Sequence, residues 1–117
     1  MKTILAVSGG ASGKFKSLLT KVAGEDIKTL NDGDFEQMAE LAKELKPDIL
    51  IGNSKGYYIA HELGIPLVRV GFPIHDRLGA GRVLHVGYRG TTRLFDELVN
   101  ALLQRKQDAS PVGFSYL

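Results

Sequence analysis

The sequence of 117 residues contains no cysteine. The chain therefore holds no disulfide, no thiolate nucleophile and no cysteine-ligated zinc or iron–sulfur site. Its three histidines, His61, His75 and His85, do not have the spacing of a metal-binding pair on a helix. We expect no metal to be bound by this chain alone, and the absence of cysteine fits a cytoplasmic protein.

The sequence also lacks an excess of either charge and any long apolar run. Fifteen Lys and Arg residues against thirteen Asp and Glu residues give a net charge of +2, which indicates neither a nucleic-acid partner nor an anionic membrane. No apolar stretch approaches the roughly 20 residues of a membrane-spanning helix. The short apolar run at residues 3–7 predicts a strand rather than a signal peptide.

Hydrophobic patterning predicts strands and helices in alternation. A continuous apolar run of the kind found in a buried parallel strand occurs at residues 3–7, and further strands are predicted at 48–52, 67–70 and 83–86, with a weaker one at 27–30. Helical spacing of apolar residues lies between them and again at about 91–105. Ser12 is the predicted N-cap of the first helix, Asp34 with Gln37 forms a capping-box pattern for the second, and Ser54 is the predicted N-cap of the third.

Strands separated by helices of this length predict right-handed βαβ crossovers. The expected fold is a three-layer α/β/α, Rossmann-like domain with a mainly parallel sheet of about five strands. This domain covers residues 1–106, and residues 107–117 are predicted to be a C-terminal tail. Ligands of such sheets bind at the carboxyl ends of the strands. We therefore expect any functional site in the loops at residues 8–13, 53–56, 71–78 and 87–90.

Residues 8–14 resemble a phosphate-binding loop after the first strand. The P-loop pattern needs glycine where this chain has Ser8, and a hydroxyl residue where it has Phe15. A strand-to-helix turn is the favoured interpretation. A flavodoxin-like module that binds a phosphate-bearing ligand at residues 8–13 stays open as an alternative.

Residues 52–56 match the G-x-S-x-G pattern of a hydrolase nucleophile elbow, with Ser54 at its centre. Asp76 and His85 follow in the order Ser, Asp, His. Against a hydrolase, the chain is short and these two residues are close in sequence. The other interpretation is that Ser54 caps a helix while Gly52 and Gly56 allow a tight turn. A small serine hydrolase remains an alternative function.

The loop at residues 71–78 joins an aromatic residue and a proline to the polar run His75, Asp76 and Arg77. In one interpretation the apolar side chains pack under the loop while Asp76 and Arg77 pair with each other or cap a short helix. In the other, the polar run contacts a partner or a cofactor. Arg89, at the end of the last predicted strand, adds positive charge at the same edge.

Three segments in order, residues 48–56, 71–77 and 86–90, resemble the C-terminal domain of the nitrogenase component 1 family, and most closely the β-like subunit of its cofactor-assembly scaffold. The resemblance implies a role in nitrogen fixation, an α-like scaffold subunit as partner, and contacts with other domains of a longer parent chain. The iron–sulfur cofactor precursor would be held by the full complex, whose cluster-ligating cysteines lie outside this domain. The β subunit of nitrogenase itself is the competing member.

The resulting expectation is a scaffold and subunit-interface domain that is not an enzyme by itself and binds neither nucleic acid nor membrane. No catalytic residue and no metal ligand is assigned. The candidate cofactor-binding or interface residues are Asn53, Ser54, Gly56, His75, Asp76, Arg77 and Arg89.

Overall fold

The computed structural model describes residues 1–10 and 13–113, which fall into two compact units. The first unit ends at Pro47 and the second begins at Asp48. The predicted cap Ser12 lies outside the described residues. None of the described helices is long and apolar enough to cross a membrane.

The first unit contains two parallel strands and two helices. The elements are β1 (Leu5–Ser8), α1 (Lys14–Ala23), β2 (Lys28–Asn31) and α2 (Phe35–Leu45), and Leu5 of β1 pairs with Lys28 of β2. The Asp34 side chain accepts a hydrogen bond from the Gln37 amide at 2.8 Å. This contact confirms that Asp34 is the N-cap of the second helix, because it satisfies an otherwise unpaired amide of the first turn.

The second unit contains the other parallel pair. The elements are β3 (Leu50–Gly52), a 3-10 turn (Ser54–Gly56), α3 (Tyr57–Leu63), β4 (Leu67–Arg69), a second 3-10 turn (Ala80–Arg82) and α4 (Gly87–Asp108). Leu50 of β3 pairs with Leu67 of β4. Because α3 connects two parallel strands, the carboxyl ends of β3 and β4 lie side by side.

The core of the second unit is small. Its buried apolar residues lie on α3, on and just before β4, and on α4: Ile59, Ala60, Ile65, Val68 and Leu98. Ser54 is buried with them, and among the described residues it is the one polar residue that is buried. Many large apolar residues are instead exposed, which leaves this unit with much apolar surface that its own elements do not cover.

The α/β class and the parallel strand pairing are confirmed, but the predicted strand at residues 83–86 is wrong. The described residues hold four strands in two parallel pairs, rather than five in one sheet. Residues 83–86 follow a 3-10 turn and lead directly into α4, which begins at Gly87 instead of residue 91. The helix also continues to Asp108, where Gln104 donates a hydrogen bond to the Asp108 carboxylate at 2.7 Å.

Residues 83–86 instead lie in close backbone contact with the start of α4. A Cβ atom on Gly90 would lie 2.8 Å from the carbonyl carbon of His85 and 3.0 Å from its nitrogen. The first turn of α4 therefore packs directly on the backbone of the preceding segment. This contact requires glycine at position 90, since any side chain there would meet main-chain atoms.

We predict that Gly90→Ala destabilises the chain by about 1–3 kcal/mol, the usual cost of overpacking, despite the better helix propensity of alanine. The measurement is the free energy of unfolding from urea denaturation. Gly81→Ala is the matched control, because no atom lies within 4 Å of its added Cβ, and it should change stability by no more than about 0.5 kcal/mol. Equal effects of the two substitutions would contradict the packing role of Gly90.

Candidate functional site

The candidate site lies where β3 and β4 end. Asn53 and Ser54 directly follow β3, and the loop of residues 70–78 follows β4. The Val70 amide donates to the Gly52 carbonyl at 2.8 Å, so the strands stay paired up to the first residue of the loop. The segment after β3 and the loop after β4 are thereby brought together.

An ion pair between the end of β4 and the loop forms the centre of the site. Nε of Arg69 lies 2.9 Å from Oδ1 of Asp76, and Nη2 lies 2.7 Å from Oδ2. The side chain of Arg69 is 13% exposed and that of Asp76 is 30% exposed. Bidentate pairing of a guanidinium with a carboxylate fixes both distance and orientation, so this pair closes the loop on its own strand.

Ser54, in the 3-10 turn that follows β3, contacts the same carboxylate. Its hydroxyl donates to Oδ1 of Asp76 at 2.5 Å and accepts a hydrogen bond from the amide of His75 at 3.2 Å. The prediction that Ser54 is a helix N-cap is therefore wrong. Asn53 takes that role, because its backbone is extended and its side-chain oxygen accepts from the Lys55 amide at 3.0 Å.

Two further hydrogen bonds hold the loop backbone. The Ser54 amide donates to the carbonyl of Pro73 at 3.1 Å, and the Asn53 side-chain amide donates to the carbonyl of Phe72 at 3.3 Å. Gly71 has a φ of +72°, a conformation that strongly favours glycine, and the Phe72–Pro73 peptide bond is cis. The path of the loop is thus fixed by contacts with β3 and with the residues after it.

The surroundings of Asp76 hold the pKa of its carboxyl group well below the usual value. The main cause is hydrogen bonding from Arg69, followed by the hydrogen bond from Ser54. Partial burial acts in the opposite direction, and the positive charges of Arg69 and Arg77 lower the pKa further. The carboxylate therefore stays ionised at neutral pH and is a poor proton acceptor.

This arrangement does not support Ser54 as a nucleophile. Among the described residues, no histidine side chain hydrogen-bonds to its hydroxyl, and Asp76 is a weak base. His85 lies in the segment before α4, where its Nε2 atom is buried without a hydrogen-bond partner in the described part of the chain. The G-x-S-x-G pattern instead reflects packing, since a Cβ on Gly56 would lie 2.8 Å from a methyl group of Leu50.

The structure brings together four of the predicted residues, Asn53, Ser54, His75 and Asp76, through the contacts given above. Arg77 adjoins them: it donates to the carbonyl of Asp76 at 2.6 Å, and its side chain is 58% exposed.

Two further candidates lie outside this network, and one member was missed by the sequence. Gly56 packs in the core, and Arg89 is exposed in the first turn of α4. Arg69 was not predicted. Its signal was a basic residue at the end of an apolar strand, seven positions before an aspartate in the following loop.

The residues present do not fit an iron–sulfur cluster. The sequence has no cysteine, and the described residues contain no group of three or more histidine, aspartate or glutamate side chains that would hold a metal ion. The predicted phosphate loop includes Ala11 and Ser12, which lie outside the described residues. Its described part has Ser8 accepting a hydrogen bond from the Gly10 amide at 3.2 Å, and the phosphate site stays a prediction.

Comparison with known proteins identifies the family. The profile described as nitrogenase component 1 type oxidoreductase matches residues 1–103, so the chain belongs to this family. The chain is 44% identical over 82 residues to the nitrogenase molybdenum–iron protein beta chain of Methanothermobacter marburgensis, covering 70% of this chain and 18% of that protein. It is 43% identical over 76 residues to the nitrogenase iron–molybdenum cofactor biosynthesis protein NifN of Bradyrhizobium diazoefficiens, covering 65% and 16%.

A solved structure shares the fold. The structure described as nitrogenase Cp1 at pH 6.5 superposes with a TM-score of 0.87 at 34% sequence identity, covering 97% of this chain and 26% of that chain. The chain spans about a fifth of the length of the curated relatives it matches. The chain is matched at similar identity by beta chains of the molybdenum–iron protein and by NifN proteins of this family.

We predict that Ser54→Ala destabilises the chain by about 1.5 kcal/mol. This is the lower end for a hydrogen bond to a charged group, because the Asp76 carboxylate is partly exposed. Urea denaturation measures the change. Ser17→Ala is the control, since Ser17 is exposed on α1, and its effect should stay within about 0.5 kcal/mol. If Ser54→Ala left the free energy of unfolding unchanged, the contact with Asp76 would not stabilise the loop.

A second prediction concerns pH. The pKa of Asp76 is lower in the folded chain than its unfolded value of 3.8. The pair therefore stabilises the fold fully above about pH 5, and this stabilisation is lost as the pH falls below about 4. Asp76→Asn should be less stable at pH 7 and should show a shallower loss of stability between pH 5 and pH 2.

Asp96→Asn, which removes an exposed carboxylate on α4, is the control for this experiment. Denaturation curves across the pH range are the measurement. An acid-induced loss of stability in Asp76→Asn that equals the loss in the unsubstituted chain would contradict the assignment.

Proposed function

We propose that the chain is a scaffold and subunit-interface domain of a nitrogen-fixation protein of the NifN type, and that it is not a catalyst by itself. In this role it pairs with an α-like scaffold subunit, NifE, and packs against other domains of a longer parent chain. The full complex, in the cytoplasm, holds the iron–sulfur precursor of the iron–molybdenum cofactor. The family match and the identity to NifN proteins support the proposal.

The observation that carries the proposal is a loop with a fixed backbone and displayed side chains. Contacts from Asn53, Ser54 and Arg69 hold residues 72–76 in place. Phe72 and Arg77 nevertheless project outward and are largely exposed. A site built for acid–base catalysis needs a carboxylate that exchanges its proton near neutral pH, whereas Asp76 is occupied by its ion pair. Exposed side chains on a backbone that is already held in place favour recognition, because less conformational entropy is lost on binding.

The second candidate is a domain of the molybdenum–iron protein beta chain. The identity of 44% to the Methanothermobacter marburgensis beta chain favours it directly. The short spacing between Gly56 and Ile65, and the continuation Leu78-Gly79 after Arg77, favour the scaffold subunit instead. The two candidates share the interface role and differ in the partner, so binding to the two kinds of α subunit separates them.

The proposal is tested by co-expressing the chain with an α-like scaffold subunit, and separately with the α chain of a molybdenum–iron protein. Affinity capture on a tag carried by the chain, followed by native mass spectrometry, detects the complexes. We expect a one-to-one complex with the scaffold subunit. A complex formed only with the molybdenum–iron α chain would support the second candidate, and no complex with either would contradict the interface role.

We further predict that Arg77→Ala separates pairing from stability. The substitution should change the stability of the chain by no more than about 0.5 kcal/mol, because the side chain is mostly exposed. It should weaken the complex with the α-like subunit by roughly 2–5 kcal/mol if Arg77 forms a desolvated charge pair there. Thermal melts and titration calorimetry provide the two measurements.

Arg93→Ala is the matched control. Arg93 is a similarly exposed arginine that pairs with Glu97 within α4, at 3.0 Å. Its removal should leave both stability and pairing within about 0.5 kcal/mol of the original values. If Arg77→Ala destabilises the chain while pairing is unchanged, Arg77 only closes its own loop and has no interface role.

A further inference from the structure

Residues 71–90 have a composition unlike that of an ordinary solvated surface. They contain three arginines, Arg77, Arg82 and Arg89, with no lysine, no glutamate and one aspartate, Asp76. Arginine and aromatic residues are enriched in the cores of protein–protein interfaces, where lysine and glutamate are depleted. The segment therefore has the composition of an interface over twenty consecutive residues.

The apolar side chains of this segment are displayed rather than buried. Five of its apolar residues are more than half exposed, and Leu78 is completely so. These five residues are Phe72, Leu78, Leu84, Val86 and Tyr88. Contiguous exposed apolar area on a soluble protein marks interaction sites, and these five residues are clustered within seventeen consecutive positions of the sequence.

The charge that accompanies these apolar residues is positive. Asp76, the one carboxylate of the segment, is neutralised by Arg69. Arg82 and Arg89 form no ion pair within the described part of the chain. The segment thus presents two guanidinium groups without an ion pair. Arg77 is a third, 58% exposed, which donates to the carbonyl of Asp76 at 2.6 Å and lies 3.6 Å from its carboxylate.

Local contacts hold the second half of the segment. The Arg82 amide donates to the Gly79 carbonyl at 2.9 Å, and a Cβ on Gly79 would lie 2.7 Å from Nη2 of Arg82. The Arg82 guanidinium therefore lies directly over Gly79. Arg89 precedes Gly90, whose packing on His85 fixes the start of α4. Both cations are carried on an ordered backbone, which lowers the entropy lost on binding.

We propose that the exposed residues of 71–90, here called the arginine–apolar surface, bind an acidic and partly apolar surface of a second protein. The inference rests on the proposed function, which supplies a partner subunit, and adds the chemistry of the contact. Guanidinium groups pair with carboxylates in a bidentate manner, and the exposed apolar residues supply the area that becomes buried. A nucleic acid is disfavoured because the net charge of the chain is only +2, and three of the five exposed apolar residues, Leu78, Leu84 and Val86, are aliphatic and cannot stack on bases.

The probe for this chemistry is a random copolymer of glutamate and tyrosine in a four-to-one ratio, with polyglutamate of the same length for comparison. Titration calorimetry at low and at physiological salt measures binding to the chain. We expect binding that weakens with salt, and tighter binding of the tyrosine-containing polymer. The double substitution Arg82→Glu with Arg89→Glu should weaken binding at least tenfold.

The matched control is the double substitution Lys16→Glu with Lys21→Glu, which makes the same change in net charge on α1. It should alter binding less than twofold. An equal loss with the lysine variant would show a non-specific charge effect and overturn the inference. It would also be overturned by an absence of binding, or by tighter binding of single-stranded DNA. Thermal melts of each variant confirm that it is folded.

Capture of the α-like scaffold subunit separates failure of this inference from failure of the proposed function. If the unsubstituted chain does not bind that subunit, the proposed function fails. If the unsubstituted chain binds it and the double arginine variant binds equally well, only the assignment of the arginine–apolar surface is overturned. At least tenfold weaker capture of the arginine variant, with unchanged capture of the lysine variant, would support both.

Discussion

The ion pair between Arg69 and Asp76 is the contact on which the rest of the site depends. Arg69 belongs to β4, whose position is set by pairing with β3, whereas Asp76 lies in a loop without regular structure. The pair therefore anchors the loop to β4, and Ser54 adds a contact from the 3-10 turn that follows β3. Because the carboxylate is held in its ionised form, this site stabilises structure at the expense of acid–base reactivity.

Local signals in the sequence were sufficient to predict the class of fold, but not the number of strands. Continuous apolar runs and the cap at Asp34 identify strands and helices because both depend on neighbouring residues. Residues 83–86 carry the same apolar pattern and form no strand. What the structure shows there instead is the close approach of Gly90 to the His85 backbone, a contact that has no periodic signature in the sequence.

The site shows a different limit. Ser54 and Asp76 were found because they follow strands, yet the role predicted for Ser54 was wrong, since the G-x-S-x-G pattern describes a tight turn and leaves the partners of the hydroxyl undefined. Arg69 was missed because a charged residue at the end of a strand is usually solvated. Only the folding back of the loop, which brings Asp76 to Arg69 seven positions earlier in the sequence, shows that the charge is used internally. Patterns thus located the residues, and spatial contacts defined their chemistry.

The small core and the exposed arginine–apolar surface are related, because apolar residues that lie on the surface are not available to the core. Apolar residues displayed for a partner, such as Leu78 and Tyr88, contribute nothing to the core of the isolated chain. A partner that binds only the folded form stabilises that form in proportion to its affinity and concentration. The side chains that leave the isolated unit with uncovered apolar area therefore contribute to stability once the surface is covered. On this argument, folding and pairing are thermodynamically coupled through residues 71–90, while Arg69 and Asp76 keep the loop in its binding conformation.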